Sequence, residues 1–252
     1  MSFRSRYFSL KEFARKTAAL FRTFFSSDIR RSLAGKYLRG EGLEIGALHL
    51  PLALPRGARA KYVDRLDIKE LRVQYPELKK LKLVNPDIID DGETLAGVDS
   101  ESQDFLIANH FLEHCENPIG AVKTFLRVVK KKGVIYMAVP DKRFTFDSER
   151  PVTTLGHLVN DYVQGATRAR GEHLKEWGRL VDRHFSNDAE RDLSQLKRAD
   201  YSIHFHTWTC LELFELLVYL KRELSFEFEI EEFVFSRGEA LFILRKGNAV
   251  RS

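Results

Sequence analysis

Short apolar runs that alternate with helical patterns from about residue 41 onward constrain the fold more than any other feature. The runs lie at 42–45, 60–63, 105–108 and 134–139 and are typical of buried strands. Between the last two, residues 118–130 repeat apolar side chains at helical spacing. Alternation of this kind predicts a parallel sheet whose strands are joined by right-handed helical crossovers.

The C-terminal part of the chain predicts that the parallel sheet ends in an antiparallel hairpin. A helical pattern at 209–223 precedes two strand patterns at 226–235 and 240–244, which are separated by turn-forming residues at 236–239. We therefore predict an α/β fold with a doubly wound, mostly parallel, seven-stranded Rossmann-like sheet closed by a C-terminal antiparallel hairpin. Helices are expected before the sheet, and a helical insertion is expected at about 151–200.

Positive charge is concentrated at the N-terminal end. The first 40 residues carry ten of the 41 basic residues and two of the 36 acidic ones, so the rest of the chain is slightly acidic. We predict basic amphipathic helices over 1–39, followed by one folded domain over 40–252. The Phe-rich helix at 7–25 could lie on an anionic membrane surface, dock on a partner protein or pack on the domain. Because the domain itself is not basic, a nucleic-acid partner is not expected.

Cysteine content and hydropathy favour a cytoplasmic location. Cys115 and Cys210 form no C-x-x-C pair, which argues against a disulfide scaffold or a thiolate zinc site. No run of about 18 apolar residues occurs, so no transmembrane segment is predicted, and the N-terminal sequence does not read as a secretory signal. A peripheral membrane contact through the N-terminal helix stays open.

Polar residues follow the apolar runs, at the edge where a doubly wound sheet binds its ligands. A pyrophosphate would require several glycines and helix N–H donors, whereas carboxylates suit a cationic ligand without phosphate. The sulfonium and ammonium groups of S-adenosylmethionine match that charge pattern. The predicted cofactor-binding residues are Glu44, Gly46, Asp64, Asp90, Asp91, Asn109 and His110.

With these residues the chain resembles the class I S-adenosylmethionine-dependent methyltransferases, in particular their type 11-like members. The resemblance rests on the segment Gly42-Leu43-Glu44-Ile45-Gly46-Ala47, covers roughly 40–145 and extends more weakly to 209–245. It implies that 40–252 is a methyltransferase domain with S-adenosylmethionine as its cofactor.

The resemblance also implies individual roles. Glu44 and Gly46 would cradle the amino-acid and ribose parts of the cofactor, Asp64 would bind the ribose, and Asp90 or Asp91 would lie near the adenine. The residues that it places along the cleft after the next strand are Asn109 and His110.

The first motif departs from the family pattern. Family members usually have two further glycines where this chain has Leu48 and Leu50, and Pro51 follows. Replacing a glycine changes how closely the backbone can approach a ligand. The departure keeps open the alternative of a catalytically inactive, methyltransferase-like binding or scaffold protein.

Candidate acceptor contacts follow the strongest strand pattern. A hydroxyl acceptor needs a general base, whereas a neutral amine or a thiolate hardly does, and Asp141 is one candidate for that base. The nearby cations Lys142, Arg143 and Arg150 suit an anionic substrate such as a phosphorylated or uronic sugar, or they form local ion pairs on a solvated loop.

Histidines supply further candidates. His157 and Asp161 share one face of a predicted helix, either as an acid/base pair or as an ordinary surface hydrogen bond. His204 and His206 point to one side of an extended segment, where either could act as a base. With Asp141 or Asp147 they could also bind a metal, but two histidines fall short of a zinc or iron site, so no metal is predicted.

Trp208 could provide a flat wall for a sugar or another ring. The predicted catalytic residues are therefore His110, Asp141, His204 and His206, and the predicted substrate contacts are Lys142, Arg143, Arg150, His157 and Trp208.

Methyl transfer to a small-molecule or glycan acceptor is the leading functional hypothesis. The alternatives are methylation of RNA or protein, with the basic N-terminal helix as a handle, and the inactive scaffold. A nicotinamide-dependent dehydrogenase is disfavoured because no G-x-G-x-x-G motif follows the first run.

Overall fold

A seven-stranded sheet forms the centre of the part of the chain that the computed structural model describes, residues 27–165, 169–182 and 202–247. The strand order is β3-β2-β1-β4-β5-β7-β6, with β1 to β5 parallel and β7 antiparallel to both β5 and β6. The strands are β1 Gly40–Ile45, β2 Ala58–Asp64, β3 Ile88–Ile89, β4 Gln103–Asn109, β5 Val129–Pro140, β6 Phe228–Ser236 and β7 Glu239–Lys246. The predicted fold class is confirmed. The predicted helix at 7–25 lies outside the described residues, as does most of the second half of the insertion.

Close contact between the two central strands β1 and β4 depends on a glycine. Gly42 pairs with Phe105, and a Cβ at Gly42 would lie 2.4 Å from the Phe105 ring. The aromatic side chain therefore fills the space that a larger residue on β1 would need. This packing keeps Phe105 fully buried.

Six helices accompany the sheet in the described ranges, and most begin at residues suited to a helix start. Asp67 and Thr209 each form a capping box, and Asn117 accepts a hydrogen bond from the backbone N–H of Gly120 at 2.9 Å. The helices are α1 Ser27–Tyr37, α2 Ile68–Gln74, α3 Pro118–Val128, α4 Leu155–Gln164, α5 Arg170–Trp177 and α6 Cys210–Arg222. Among the residues described, none of these helices is long and apolar enough to cross a membrane.

Hydrophobic residues cover both faces of the sheet. One face packs against α3, α4 and α6 through side chains such as Phe125 and Leu217, and the other packs against α1 through Leu33 and Ala34. Burying one leucine or phenylalanine side chain completely stabilises the fold by about 1.5–3 kcal/mol compared with leaving it exposed to solvent. Helix α1 is thus packed on the sheet, although the proposed division into 1–39 and 40–252 stays a prediction.

The direction of β7 brings the hairpin to the functional edge of the sheet. The carboxyl ends of parallel strands meet at one edge. Because β7 is antiparallel to β5, its first residue, Glu239, pairs with Pro140 at the end of β5. The start of the hairpin strand therefore lies at the same edge as the ends of β1 to β5.

The insertion returns to this edge through an extended segment at 202–208. Phe205 donates its backbone N–H to the carbonyl of Glu113 at 2.8 Å, and Trp208 forms a parallel bridge with Asp141. Ile203 and Phe205 also pack against α5 in a small separate core. The helices of the insertion are thereby fixed beside the ends of β4 and β5.

Candidate active site

The loop after β1 keeps a glycine-like backbone. Gly46 has φ +63° and Leu48 has φ +48°, so the leucine adopts the left-handed conformation that glycine favours. This conformation costs a leucine about 1–2 kcal/mol. The side chain of Leu48 packs against the cluster formed by Leu71, Leu78 and Leu83, which offsets that cost. Leu48 therefore has a backbone conformation that a glycine at this position could also adopt.

Glu44 is a buried carboxyl group on β1 with one oxygen available. Its Oε1 accepts a hydrogen bond from the backbone N–H of Leu52 at 2.8 Å, which fixes the returning loop. Its Oε2 is buried and has no hydrogen-bond partner among the described residues. Burial raises the pKa of Glu44 to about 7, although the Leu52 N–H and the charge of Arg30 act in the opposite direction.

Asp64 ends β2 beside this loop. Its carboxylate is within 3.4 Å of the backbone N–H of Leu66. Burial raises the pKa of Asp64 to about 6 in spite of hydrogen bonds from the backbone of Leu66 and Arg65. A cation or a pair of hydroxyl donors at this position would stabilise the ionised form.

Asp90 and Asp91 follow β3 and differ in how the loop uses them. Both oxygens of Asp90 accept backbone N–H bonds, from Asp91 and Gly97, each at 2.8 Å. Asp91 is exposed, and its Oδ1 accepts from the backbone N–H of Glu93 at 2.8 Å. Asp90 therefore shapes the loop, whereas Asp91 is the more accessible of the two predicted adenine neighbours.

Asn109 and His110 follow β4 at the centre of the edge. The side-chain oxygen and nitrogen of Asn109 are enclosed and have no hydrogen-bond partner in the described part of the chain. His110 has φ +50°, and its Nε2 lies 3.0 Å from Oε2 of Glu239 while its Nδ1 lies 3.5 Å from Oε1 of Glu113. Two carboxyl groups thus flank one imidazole.

Glu239 and Arg30 were not found from the sequence. Arg30 of α1 donates from both Nε, at 2.9 Å, and Nη2 to the carboxylate of Glu239. Burial alone would raise the pKa of Glu239, but hydrogen bonds from His110 and Arg30 lower it. The one sequence signal for Glu239 is its place at the start of a hairpin strand, and no pattern links it to a helix 209 residues earlier.

A series of buried ionisable side chains continues from His110 towards the insertion. Glu113 is fully enclosed, and burial raises its pKa even though His110 and His204 act in the opposite direction. Nε2 of His204 lies 4.0 Å from Oε1 of Glu113, and its Nδ1 lies 2.6 Å from Oδ2 of Asp147. Burial lowers the pKa of His204, but the carboxylate of Asp147 outweighs it, so the pKa rises.

Arg150 ends this series of buried groups and does not reach the surface, where a contact with substrate was predicted for it. Its side chain is 1% exposed. It donates to Asp147 at 2.8 Å, to Glu176 at 2.8 Å and to the carbonyls of His204 and Phe205 at 2.7 and 3.2 Å. These groups already surround the guanidinium, so Arg150 serves the packing of the insertion.

Trp208 and Asp141 are also buried, against the expectation that they face a substrate. Trp208 belongs to the main core and stacks on His206 with ring centroids 5.7 Å apart, so it offers no open wall. Both oxygens of Asp141 accept side-chain N–H bonds from Arg143, at 2.9 and 2.7 Å. Burial would raise the pKa of Asp141, yet these bonds lower it, which leaves a poor general base.

Lys142 and Arg143 lie on the turn after β5. Lys142 Nζ donates to the carbonyl of Ser148 at 2.8 Å, and the side chain of Arg143 is 58% exposed. Both stay predicted substrate contacts.

His204 and His206 join different groups in the structure, and a catalytic role for either stays a prediction. His204 belongs to the series with Glu113 and Asp147, whereas His206 lies against the rings of His157 and His173. The predicted contact of His157 with Asp161 is present, at 3.0 Å.

Comparison with known proteins adds the family to this geometry. Residues 12–203 match a family described as a methyltransferase domain. The chain belongs to this methyltransferase family. It is an enzyme of methyl transfer, and S-adenosylmethionine is its cofactor. No curated protein matches it.

One solved structure shares the fold of the methyltransferase at a TM-score above 0.5, and others are similar at lower scores. A Rhodobacter sphaeroides protein named as a zinc-dependent alcohol dehydrogenase superposes with a TM-score of 0.53 at 15% identity, covering 95% of this chain and 98% of that one. The PH0226 protein of Pyrococcus horikoshii gives 0.49 at 16% identity, covering 89% and 95%. A SAM-dependent methyltransferase of Thermotoga maritima gives 0.47 at 15%, covering 96% and 100%. At such identities the likeness concerns the fold alone.

The cofactor edge of the methyltransferase fits S-adenosylmethionine, whose reactive methyl group is bonded to a cationic sulfur. Glu44 Oε2 and the amide of Asn109 are enclosed polar groups that a ligand would satisfy. A Cβ at Gly46 would meet only the Phe111 ring, at 3.9 Å, which leaves room for a ligand beside the backbone. Glu44, Gly46, Asp64 and Asn109 are the residues that would hold the cofactor.

Proposed function

We propose that this methyltransferase transfers its methyl group to a hydroxyl of a small-molecule or glycan acceptor, with His110 as the general base. The observation that carries the proposal is the position of His110 between the carboxyl groups of Glu239 and Glu113, at 3.0 and 3.5 Å. A hydroxyl becomes a useful nucleophile only when its proton is removed, and imidazole is the side chain that most often does this.

The two flanking carboxyl groups favour this role for His110. Nε2 of His110 donates to the carboxylate of Glu239, so the proton of the acceptor hydroxyl would go to Nδ1, and the anionic Glu239 stabilises the imidazolium that forms. Glu239 is itself fixed by Arg30, so the ring of His110 is oriented before an acceptor binds. Asn109, the preceding residue, belongs to the cofactor edge, so the base and the cofactor site are adjacent in the chain.

An anionic group on the acceptor is part of the proposal. Lys142 and Arg143 lie on the turn that follows β5, and the side chain of Arg143 is largely exposed. Cations at this position suit a phosphorylated or uronic sugar. The slightly acidic chain after residue 40 does not favour RNA.

Formation of S-adenosylhomocysteine tests the acceptor class. The full-length protein is incubated with S-adenosylmethionine and with hydroxyl-bearing metabolites, anionic sugars, oligosaccharides, RNA or protein. We expect turnover with a sugar or another small hydroxyl compound. Turnover with RNA or protein alone would contradict the proposed acceptor class.

His110→Ala and His110→Gln test the base. Each should lower kcat by roughly 10²- to 10⁴-fold while leaving S-adenosylmethionine affinity within about threefold. Glu215→Gln, on the exposed side of α6, is the control and should keep full turnover. Full turnover by His110→Ala would exclude His110 as the base without touching the methyl-transfer activity itself.

A further inference from the structure

Four potential metal ligands converge beside the cleft, and the proposed function uses none of them. His157 and Asp161 lie on α4, His173 lies on α5, and His206 lies on the extended segment that follows the insertion. One nitrogen or oxygen atom from each comes within 4.8 Å of all the others. Two helices and one extended segment therefore direct these four side chains towards one point.

The distances within the cluster are close to those between the ligands of a tetrahedral zinc ion. Nε2 of His157 lies 3.1 Å from Nε2 of His173 and 3.0 Å from Oδ2 of Asp161, and the His173 nitrogen lies 3.9 Å from the same oxygen. Zinc–nitrogen bonds of about 2.0–2.1 Å place tetrahedral ligand atoms about 3.3 Å apart. The three distances, 3.1, 3.0 and 3.9 Å, bracket that spacing.

His206 presents a nitrogen that the described residues do not otherwise use. Its side chain is fully buried, and its Nε2 lies 3.3 Å from the carbonyl oxygen of Glu116. Its Nδ1 is enclosed and has no hydrogen-bond partner in the described part of the chain. A ring N–H donated to a carbonyl fixes the tautomer whose other nitrogen binds a metal.

The rest of the cluster has similar support. The ring of His173 lies edge-on to the ring of Phe205, with centroids 6.0 Å apart. The side chain of Asp161 is 2% exposed, so its carboxyl group is buried among three imidazoles. A divalent cation neutralises such a carboxylate. The side chain of His157 is 40% exposed and provides a route for the ion from solvent.

We propose that His157, Asp161, His173 and His206 bind one zinc ion that ties α4 and α5 to the segment 202–208. Four protein ligands complete a tetrahedral shell, and closed shells of this kind are typical of structural zinc. The ion fixes the insertion beside the acceptor side of the cleft. This inference revises the sequence prediction of no metal, and it is independent of the acceptor proposed above.

A second group of potential ligands, Glu113, His114 and His204, provides a matched control. It offers three ligands, and the Nδ1 atoms of its histidines already contact the Ile203 carbonyl at 2.9 Å and Asp147 at 2.6 Å. It is also part of the series that reaches His110. A substitution there should not affect zinc at the other cluster.

Metal analysis of the full-length protein tests the site. Protein purified without chelator should contain about one zinc ion per chain. His173→Ala and Asp161→Asn should weaken zinc binding by more than about 10²-fold, beyond the effect of outer-shell changes. His114→Ala should retain the metal. Circular dichroism verifies that each variant is folded before its metal content is interpreted.

Cobalt substitution supplies a readout independent of folding and activity. Cobalt(II) in the chelated and reloaded protein should give the intense visible absorption of a tetrahedral complex. His157→Ala should weaken this spectrum, because it removes one nitrogen ligand. The proposal is overturned if folded wild-type protein neither contains nor binds zinc, or if His114→Ala loses the metal while His173→Ala keeps it.

Discussion

At the scale of single residues, burial sets the charge of the cofactor edge. It raises the pKa of Glu44 to about 7 and that of Asp64 to about 6, so both carboxyl groups retain protons at pH values where exposed carboxyl groups are ionised. S-adenosylmethionine carries a cationic sulfur and an ammonium group. Its binding therefore favours the ionised carboxylates and releases the protons that burial retains.

We expect the affinity for S-adenosylmethionine to increase between about pH 5.5 and pH 7.5 and then to level off, because these two groups ionise across that range. Calorimetric titrations in buffers of different ionisation enthalpy measure both the affinity and the protons released. Glu44→Gln should remove the dependence near pH 7, and Asp64→Asn that near pH 6. An affinity that does not vary with pH would contradict this role of the carboxylates.

The raised pKa of Glu44 also affects the stability of the protein without cofactor, which should decrease as the pH rises. A carboxyl group whose pKa is raised by folding favours the folded state at low pH, and this contribution is lost as the pH rises through the folded value, here about 7. Glu44→Gln should therefore raise the free energy of unfolding by about 1–3 kcal/mol at pH 8 and change it little near pH 4. Urea unfolding at the two pH values measures the difference. A loss of stability at pH 8 would show that the ionised carboxylate is needed.

A buried and an exposed basic residue should respond very differently to substitution. Arg150→Met removes the arginine partner of the buried Asp147 and leaves it His204 alone, so it should destabilise the fold by about 3–5 kcal/mol. Lys175→Met removes the exposed partner of Glu172 and should cost about 1 kcal/mol or less. Denaturant unfolding of both variants gives the comparison. Equal effects would mean that His204 alone compensates the charge of Asp147.

At the scale of elements, α1 contacts the hairpin at two places. Arg30 pairs with Glu239 at the start of β7, and Lys36 and Tyr37 each contact Glu232 of β6 at 2.6 Å. The first pair is buried and the second lies near solvent. The helix thus supports His110 indirectly, through a residue of the opposite end of the chain.

Arg30→Met should disturb the positioning of Glu239 and His110. We expect kcat to fall by at least about tenfold with little change in KM, because the loss concerns the orientation of a base rather than substrate binding. Lys36→Met, at the exposed contact, should leave both parameters unchanged. Steady-state kinetics separates the two parameters. A change confined to KM would place Arg30 in substrate binding instead.

At the scale of the whole molecule, the fold could be predicted from hydrophobic periodicity, whereas the partners of each polar residue could not. The predicted strand at 134–139 begins five residues earlier in the structure, at Val129. The Lys-rich start of β5 looks like a turn, but a shift in register opposite Gln103 and Phe105 lets the strand continue. Local sequence does not encode such a shift.

The residues of the candidate site also fall into those that the sequence could predict and those that it could not. The rule that ligands bind at strand ends identified Glu44, Asp64 and Asn109 as polar groups of one edge. It could not identify Glu239, whose strand runs in the opposite direction. The burial of Arg150 could not be predicted either, because its partners Glu176 and His204 are distant in the sequence and are brought to it only by the folded insertion.

Cofactor binding should stabilise the domain as a whole. The cofactor edge is formed by β1 to β4, which are paired through the central sheet. At about 100 times its dissociation constant, S-adenosylmethionine should raise the free energy of unfolding by about 2.7 kcal/mol. Thermal unfolding at increasing cofactor concentrations measures this gain. Asp64→Ala is the control, and an equal gain in that variant would contradict the assigned cofactor edge.

The pairing of Arg30 with Glu239 sets an order of events during synthesis. A ribosome makes the arginine early and the carboxylate 209 residues later. Burying a cation is unfavourable until its anion is present. We therefore expect α1 to reach its final position only after β7 has joined the sheet, so that a nascent chain acquires a competent cleft near the end of translation rather than strand by strand.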